Sequence, residues 1–250
     1  MVCPLSIVPV RKDPSDRAEM VTQWLFGETA DVLEKQDKWS LLKFHHDGYE
    51  GWADNKQVLE CVTPNYDPDL RVIDQTSLVD LGDRQVLLPY GAVLPFYRSG
   101  TILWQGHRVP VNALTNPGVG VGERADQIDI YKHPFLGAPY LWGGRTPCGV
   151  DCSGLTQMIF ILMGIYLPRD AHQQAEDGDT IELIDLAEPG DLAFFDNADG
   201  RIVHVGIVLA DRKILHASGR VRIDTLDQQG IFNAEEKRYT HKLRVVKRVV

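Results

Sequence analysis

Between residues 119 and 250 the apolar pattern is first helical and then strand-like. From Cys152 to Gly164 the apolar residues Leu155, Met158, Ile159, Leu162 and Met163 recur at steps of three and four, with Phe160 and Ile161 between them. That period predicts a helix, and apolar residues on its other faces predict burial nearly all round. Asp151 is placed to cap its start and Gly164 to end it. A shorter, more polar helix is predicted from Pro168-Arg169-Asp170 to about Glu176. Strand signals follow at Asp191 to Phe195, Ile202 to Leu209, Lys213 to Ala217 and Lys242 to Val250. Asp211-Arg212 between the second and third reads as a tight turn, so these two form an antiparallel hairpin. A helix followed by an antiparallel sheet is the α+β class.

The first 118 residues read differently. Short apolar runs such as Trp39 to Phe44 and Gln85 to Leu88 are broken by Gly, Pro, Asn and Asp, the pattern of small β-barrels. One short helix is predicted there, from Ser15 to Leu25. A weak repeat pairs Leu25-Phe26-Gly27 with Tyr90-Gly91, and Gly51 with Gly106. It predicts two barrels, over 1–64 and 65–118, ahead of a third domain over 119–250. Thr63 to Pro68 and Thr115 to Gly122 are the linkers.

Charge and composition narrow the function classes. The net charge of -9 argues against a nucleic-acid or anionic-membrane binder, which needs excess positive charge. No apolar run approaches the roughly 20 residues of a membrane helix. Met1 to Arg11 lacks the basic-then-apolar order of an export signal, and the four cysteines are too few for a disulfide scaffold. These features predict a cytoplasmic protein, or a periplasmic or secreted one if the chain is a processed or truncated form. Cys3 and Cys61, in apolar strand-like settings, are expected to be inert core residues.

The chemistry gathers around Cys152. A cysteine in the first turn of a helix meets unpaired N–H groups and the positive end of the dipole, which favour a thiolate. The glycine-rich approach Gly143 to Gly149 suggests a tight backbone path with room for a ligand. His204 interrupts an otherwise apolar strand, and His216 lies on its neighbour. One base within reach of the thiol, and a third group orienting that base, are what a cysteine nucleophile requires. On this reading His204 is base and acid, and His216 is the orienter. The same region offers a rival: Cys148, Cys152, His204 and His216 also make a zinc set of two Cys and two His.

These residues resemble the NlpC-type cell-wall peptidases, a papain-like cysteine peptidase family. The resemblance runs through Tyr140-Leu141-Trp142-Gly143-Gly144, Gly149-Val150-Asp151-Cys152-Ser153-Gly154-Leu155, Leu167-Pro168-Arg169-Asp170-Ala171, Pro189-Gly190-Asp191-Leu192, His204-Val205-Gly206-Ile207 and Ile214-Leu215-His216-Ala217-Ser218. It implies a papain-like domain with Cys152, His204 and His216 as catalytic residues and no cofactor. The barrels look like the bacterial SH3-like modules of a subset that resembles γ-D-glutamyl-L-diamino-acid endopeptidases. The implied substrate is a murein peptide with a free N-terminal L-Ala, cut after γ-D-Glu and before L-Lys or meso-diaminopimelate.

The resemblance also implies binding residues. Asp170 and Glu28 suit the substrate ammonium. Arg169 and Ser153 suit the α-carboxylate of the γ-linked D-Glu. Tyr140 and Trp142 line the cleft, Tyr49 reaches toward it from the first barrel, and Asp151 flanks the nucleophile as its cap. The Cys152 N–H is an expected oxyanion donor. An amidase or acyltransferase on the same chassis, or a non-catalytic cell-wall binder, are the alternatives.

Overall fold

The computed structural model describes residues 1–60, 70–116 and 124–249. It divides into two compact units, Met1–Val121 and Gly122–Val250. Cys61 and the linker Thr63 to Pro68 lie outside the described residues, as does most of the linker after Asn116.

The first unit opens with an antiparallel sheet of β1 (Ile7–Arg11), β2 (Met20–Leu25), β3 (Ala30–Lys35), β4 (Trp39–Phe44) and β5 (Glu50–Asp54), in the order β2-β1-β5-β4-β3. Alternation places Val8 and Val10 of β1 in a core with Trp24, Leu42, Phe44 and Ala53. The predicted helix from Ser15 to Leu25 is not formed. Its second half is β2, where Trp24 faces Val8 and Thr22 faces Val10 across the pair. Strand pairing overrides the helical spacing because Trp24 and Thr22 suit a pleated, half-buried surface, and pairing lets Trp24 reach the core. Cys3 is buried as expected, and burial pushes its thiol pKa upward.

The remainder of this unit is two hairpins, β6 (Leu78–Asp80) with β7 (Gln85–Leu87) and β8 (Thr101–Trp104) with β9 (His107–Pro110). Its core gathers Val72, Val79, Val86, Leu88, Ile102 and Trp104, and takes in Val2 and Phe26 from the first segment. Phe26 stacks on Trp104 with centroids 5.0 Å apart. Gly27 and Gly91, matched by the sequence repeat, both have positive φ, at 80° and 87°.

The second unit holds α1 (Arg124–Lys132), a small ladder of β10 (Arg145–Thr146) and β11 (Gly149–Val150), then α2 (Cys152–Leu162) and α3 (Ala171–Gln174). There follow β12 (Asp179–Ile181), β13 (Leu192–Asp196), β14 (Ile202–Leu209), β15 (Lys213–Ser218), β16 (Arg220–Asp227), β17 (Gly230–Asn233) and β18 (Arg238–Arg248). The sheet order is β12-β18-β13-β14-β15-β16-β17, and β18 also pairs with β17. The first half of β18 bonds β17 and the second half bonds β13, so one long strand closes the sheet into a ring.

Every residue of α2 is buried, and the helix packs on β14 and β15. Each large apolar side chain fully buried contributes about 1.5–3 kcal/mol. Packing rather than propensity therefore holds the helix, three of whose residues, Thr156, Ile159 and Ile161, are β-branched. The hairpin turns at Asp211 and Arg212, which both adopt positive φ. This sets Gly206 opposite His216, so His204 stands two residues along the neighbouring strand.

Candidate active site

Asp151 organises the start of α2. Its carboxylate accepts from the Gly154 N–H at 2.7 Å and from the Gly143 N–H at 2.8 Å. Arg169 closes on it as a fork, Nη1 to Oδ1 at 3.1 Å and Nη2 to Oδ2 at 2.6 Å, and Nη1 also donates to Ser153 Oγ at 3.0 Å. The glycines have a steric reason. A Cβ on Gly154 would sit 2.2 Å from the Gly144 carbonyl oxygen, and one on Gly144 would sit 2.4 Å from that of Gly149. The chain before Cys152 thus lies directly against the first turn of the helix.

Cys152 is the first residue of α2, a free thiol with 6% of its surface exposed. The backbone N–H groups of Val205 and Ser153 are close enough to its sulfur to favour the charged form. The expectation of a preformed thiolate is overturned. Burial first, and then the Asp151 charge, push the thiol up to about 12, outweighing those two N–H groups and Arg169. His204 moves the other way: burial, and then His241 and His216, hold it well below its ordinary value. At rest the thiol and the imidazole are both neutral. A raised thiol pKa keeps the proton on sulfur until the pH nears that value. Thiolate absorbance at about 240 nm, taken as wild type minus Cys152→Ala, is therefore expected to stay flat from about pH 5 to 9. A titration step near or below neutrality would contradict this.

The two histidines meet as the hairpin predicts. His204 Nε2 lies 3.0 Å from His216 Nδ1, with the rings nearly perpendicular at 83°. Two further residues, which the sequence reading missed, belong to the group. Asp224 on β16 lies 3.0 Å from His216 Nε2 through Oδ2. His241 on β18 stacks on His204 with centroids 4.2 Å apart and an interplanar angle of 23°. The signals were present but faint. Arg220 to Asp227 carries three charges among its first five residues, and the final strand was predicted to begin one residue after His241.

The two-Cys, two-His zinc set is not assembled. Among the described residues the group able to hold a metal is His204, His216 and His241, with ligand atoms within 4.8 Å of one another; Cys148 is exposed and outside it. Imidazole lone pairs lie in the ring plane, so the nearly parallel rings of His204 and His241 aim theirs side by side instead of converging. Both nitrogens of His216 already have partners. The cluster is arranged for proton relay and stacking.

The expected binding residues divide between the units. Tyr140 is close enough to Cys152, Asp151 and Arg169 to feel their charges; burial and the two acidic groups raise its phenol, so it remains an O–H donor. Trp142 is 59% exposed, on the turn closed by the Gly144 N–H and the Leu141 carbonyl. Asp170 caps α3, and its N–H donates to Gln173 Oε1 at 3.2 Å. Arg169 is buried with its fork on Asp151 and Ser153, an arrangement that supports the loop before Cys152. Glu28 and Tyr49 belong to the first unit. The Glu28 carboxylate is buried, accepting from Arg71 Nη1 at 3.0 Å and from the Leu25 N–H at 3.0 Å. Tyr49 is half-buried against the first core.

Comparison with known proteins agrees with this geometry. Residues 137–243 match the NlpC/P60 family model, and residues 10–58 match the bacterial dipeptidyl-peptidase Sh3 domain. The gamma-D-glutamyl-L-lysine dipeptidyl-peptidase of Bacillus subtilis is 31% identical over 219 residues, covering 78% of this chain and 71% of that protein. The chain belongs to the NlpC/P60 family. A second relative, dipeptidyl-peptidase 6 of Lysinibacillus sphaericus, is 37% identical over 87% of this chain and 88% of its own length. The crystal structure of an NlpC/P60 family protein from Bacillus cereus shares the fold, with a TM-score of 0.79 at 20% identity over 99% of this chain and 98% of that one. As an NlpC/P60 member the chain is a cysteine peptidase of cell-wall peptides with an N-terminal SH3-like domain.

Proposed function

We propose that the chain hydrolyses the γ-D-glutamyl-L-diamino-acid bond of murein peptides bearing a free N-terminal L-Ala, with Cys152, His204 and His216 as its catalytic residues. One observation carries the reading: the Val205 backbone lies near enough to the Cys152 sulfur to influence it, while its neighbour His204 lies 3.0 Å from His216. Cys152 attacks the γ-glutamyl carbonyl as His204 takes the thiol proton. Because the resting thiol is neutral, this transfer accompanies attack. His204 then protonates the leaving amine, the acyl group remains on sulfur as a thioester, and a water activated by His204 releases it. The Cys152 N–H and the Tyr140 hydroxyl are donors for the charge that develops on the carbonyl oxygen.

Asp170 is proposed for the substrate ammonium, Ser153 with Arg169 behind it for the α-carboxylate, and Trp142 for the wall. The names of the Bacillus subtilis and Lysinibacillus sphaericus relatives support a dipeptide-releasing specificity. We read residues 65–118 as a second SH3-like module, supported by the matching positive φ of Gly27 and Gly91. The unpaired thiols of Cys3, Cys148 and Cys152 support work in a reducing, cytoplasmic compartment, and hence a role in recycling.

The test is L-Ala-γ-D-Glu-L-Lys beside the same peptide acetylated at its N-terminus, with products identified by mass. The free peptide is expected to yield L-Ala-γ-D-Glu and L-Lys. Acetylation removes a charge-assisted contact and should lower kcat/KM by about 10-fold or more. Equal cleavage of both peptides would remove the ammonium assignment, and an untouched free peptide would remove the substrate.

A further inference from the structure

Asp224 stands at the far end of the histidine pair. Its Oδ2 is 3.0 Å from His216 Nε2, and Arg222, two residues back on β16, grips the same carboxylate. Arg222 Nε lies 2.7 Å from Oδ2, and Nη2 donates to Oδ1 at 3.0 Å. Arg222 is itself held by Glu235 Oε2 at 3.0 Å and Asn233 Oδ1 at 3.1 Å. Burial opposes ionisation of Asp224, but the hydrogen bonds from His216 and Arg222 outweigh it and hold the carboxyl below its ordinary range.

An ionised carboxylate only accepts hydrogen bonds, and a neutral imidazole has one donor and one acceptor nitrogen. His216 facing Asp224 therefore carries its proton on Nε2, which leaves Nδ1 as a lone pair. His204 Nε2, 3.0 Å from that lone pair, must donate to it. The His204 proton is then fixed on Nε2, and its Nδ1 is left free. In the reverse arrangement His216 would donate from Nδ1 to His204 Nε2. His204 would then hold its proton on Nδ1 and have no lone pair to offer a thiol.

We infer that Asp224 is a positioning residue which, acting through His216, leaves Nδ1 of His204 as the nitrogen that takes the Cys152 proton. The inference rests on the peptidase reading above for its last step, though not for the placement of the two imidazole protons. The titratable and charged groups around the pair are Cys152 and Asp151 at the start of α2, Arg222 and Asp224 on β16, Glu235 after β17, and His241 on β18. Asp151 is paired with Arg169. His241, which burial pushes down to about 4, stacks on His204 as a neutral ring near neutral pH.

Two measurements test this. Long-range proton–nitrogen NMR of the intact wild-type chain reads the imidazole tautomers directly, and Nε2–H is expected on both His204 and His216. A proton on His216 Nδ1 would overturn the inference whatever the activity. In Asp224→Asn the amide can donate to His216 Nε2 and reverse the relay. Its kcat on the free tripeptide should fall about 100-fold or more, as when the orienting carboxylate of a serine-protease triad becomes an amide. KM should change by less than about 3-fold, since the group does not touch substrate. Asp224→Glu, which keeps an acceptor, should regain most of the lost rate. Wild-type kcat in Asp224→Asn would overturn the inference. A wild-type protein that shows the expected tautomers but cleaves no peptide would sink the substrate reading instead.

Discussion

Cys152→Ala is expected to lower kcat on L-Ala-γ-D-Glu-L-Lys by about 10,000-fold or more, the scale seen when the nucleophile of a covalent hydrolase is removed. Among the described residues no other thiol can stand in. Cys148 is exposed and outside the histidine group, and Cys3 lies in the core of the other unit. The fold should survive, because alanine is well suited to a helix and the change removes one sulfur at a cost of about 1 kcal/mol. Thermal melting and circular dichroism should therefore match wild type to within a few degrees while turnover disappears. Turnover above about one hundredth of wild type would show that another group carries the chemistry.

Arg169→Met should have the largest effect on stability. The Arg169 and Asp151 side chains are almost wholly buried, and the pair is bidentate. Removing one member of such a pair strands the other charge and typically costs about 3–5 kcal/mol. For a unit of this size that corresponds to a fall in Tm on the order of 10–20 °C. Asp151→Asn combined with Arg169→Met removes both charges and keeps a good helix cap, so it should recover at least about half of the loss. A single Arg169→Met variant melting within about 2 °C of wild type would show that the pair contributes little. Bare loss of the fork also frees the Asp151 charge to act on the thiol, so any folded Arg169→Met protein should alkylate at Cys152 more slowly than wild type.

Much of the catalytic unit was legible because its signals are local. The apolar run after Cys152 could be little but a buried helix, and Asp211-Arg212 forced the hairpin that brings His204 beside His216. What stayed hidden depends on partners distant in sequence. Nothing near Arg169 announces that its fork closes on Asp151, since that contact is made only after the segment following α2 folds back. Asp224 and His241 lie on charged strands that read as surface until the sheet order is known. Burial also reversed a chemical expectation. The helix dipole favours a thiolate at Cys152, but the dehydrated site and the Asp151 charge together win. In the first unit, β2 was misread because pairing with β1 decides the conformation of a segment whose own pattern suits a helix.

The double pairing of β18 bears on the order in which the enzyme comes alive. Its bonds to β17 are local, but those to β13 join segments far apart in the chain, and such closures form late. Cys152 leaves the ribosome well before this strand does. His241, which backs the His204 ring, and Leu243, which pairs with Phe195 on β13, arrive with it. A nascent chain thus carries Cys152 while the His204 ring still lacks its backing. Peptidase activity is therefore expected only after the ring closes, and a chain ending before β18 is expected to be inactive.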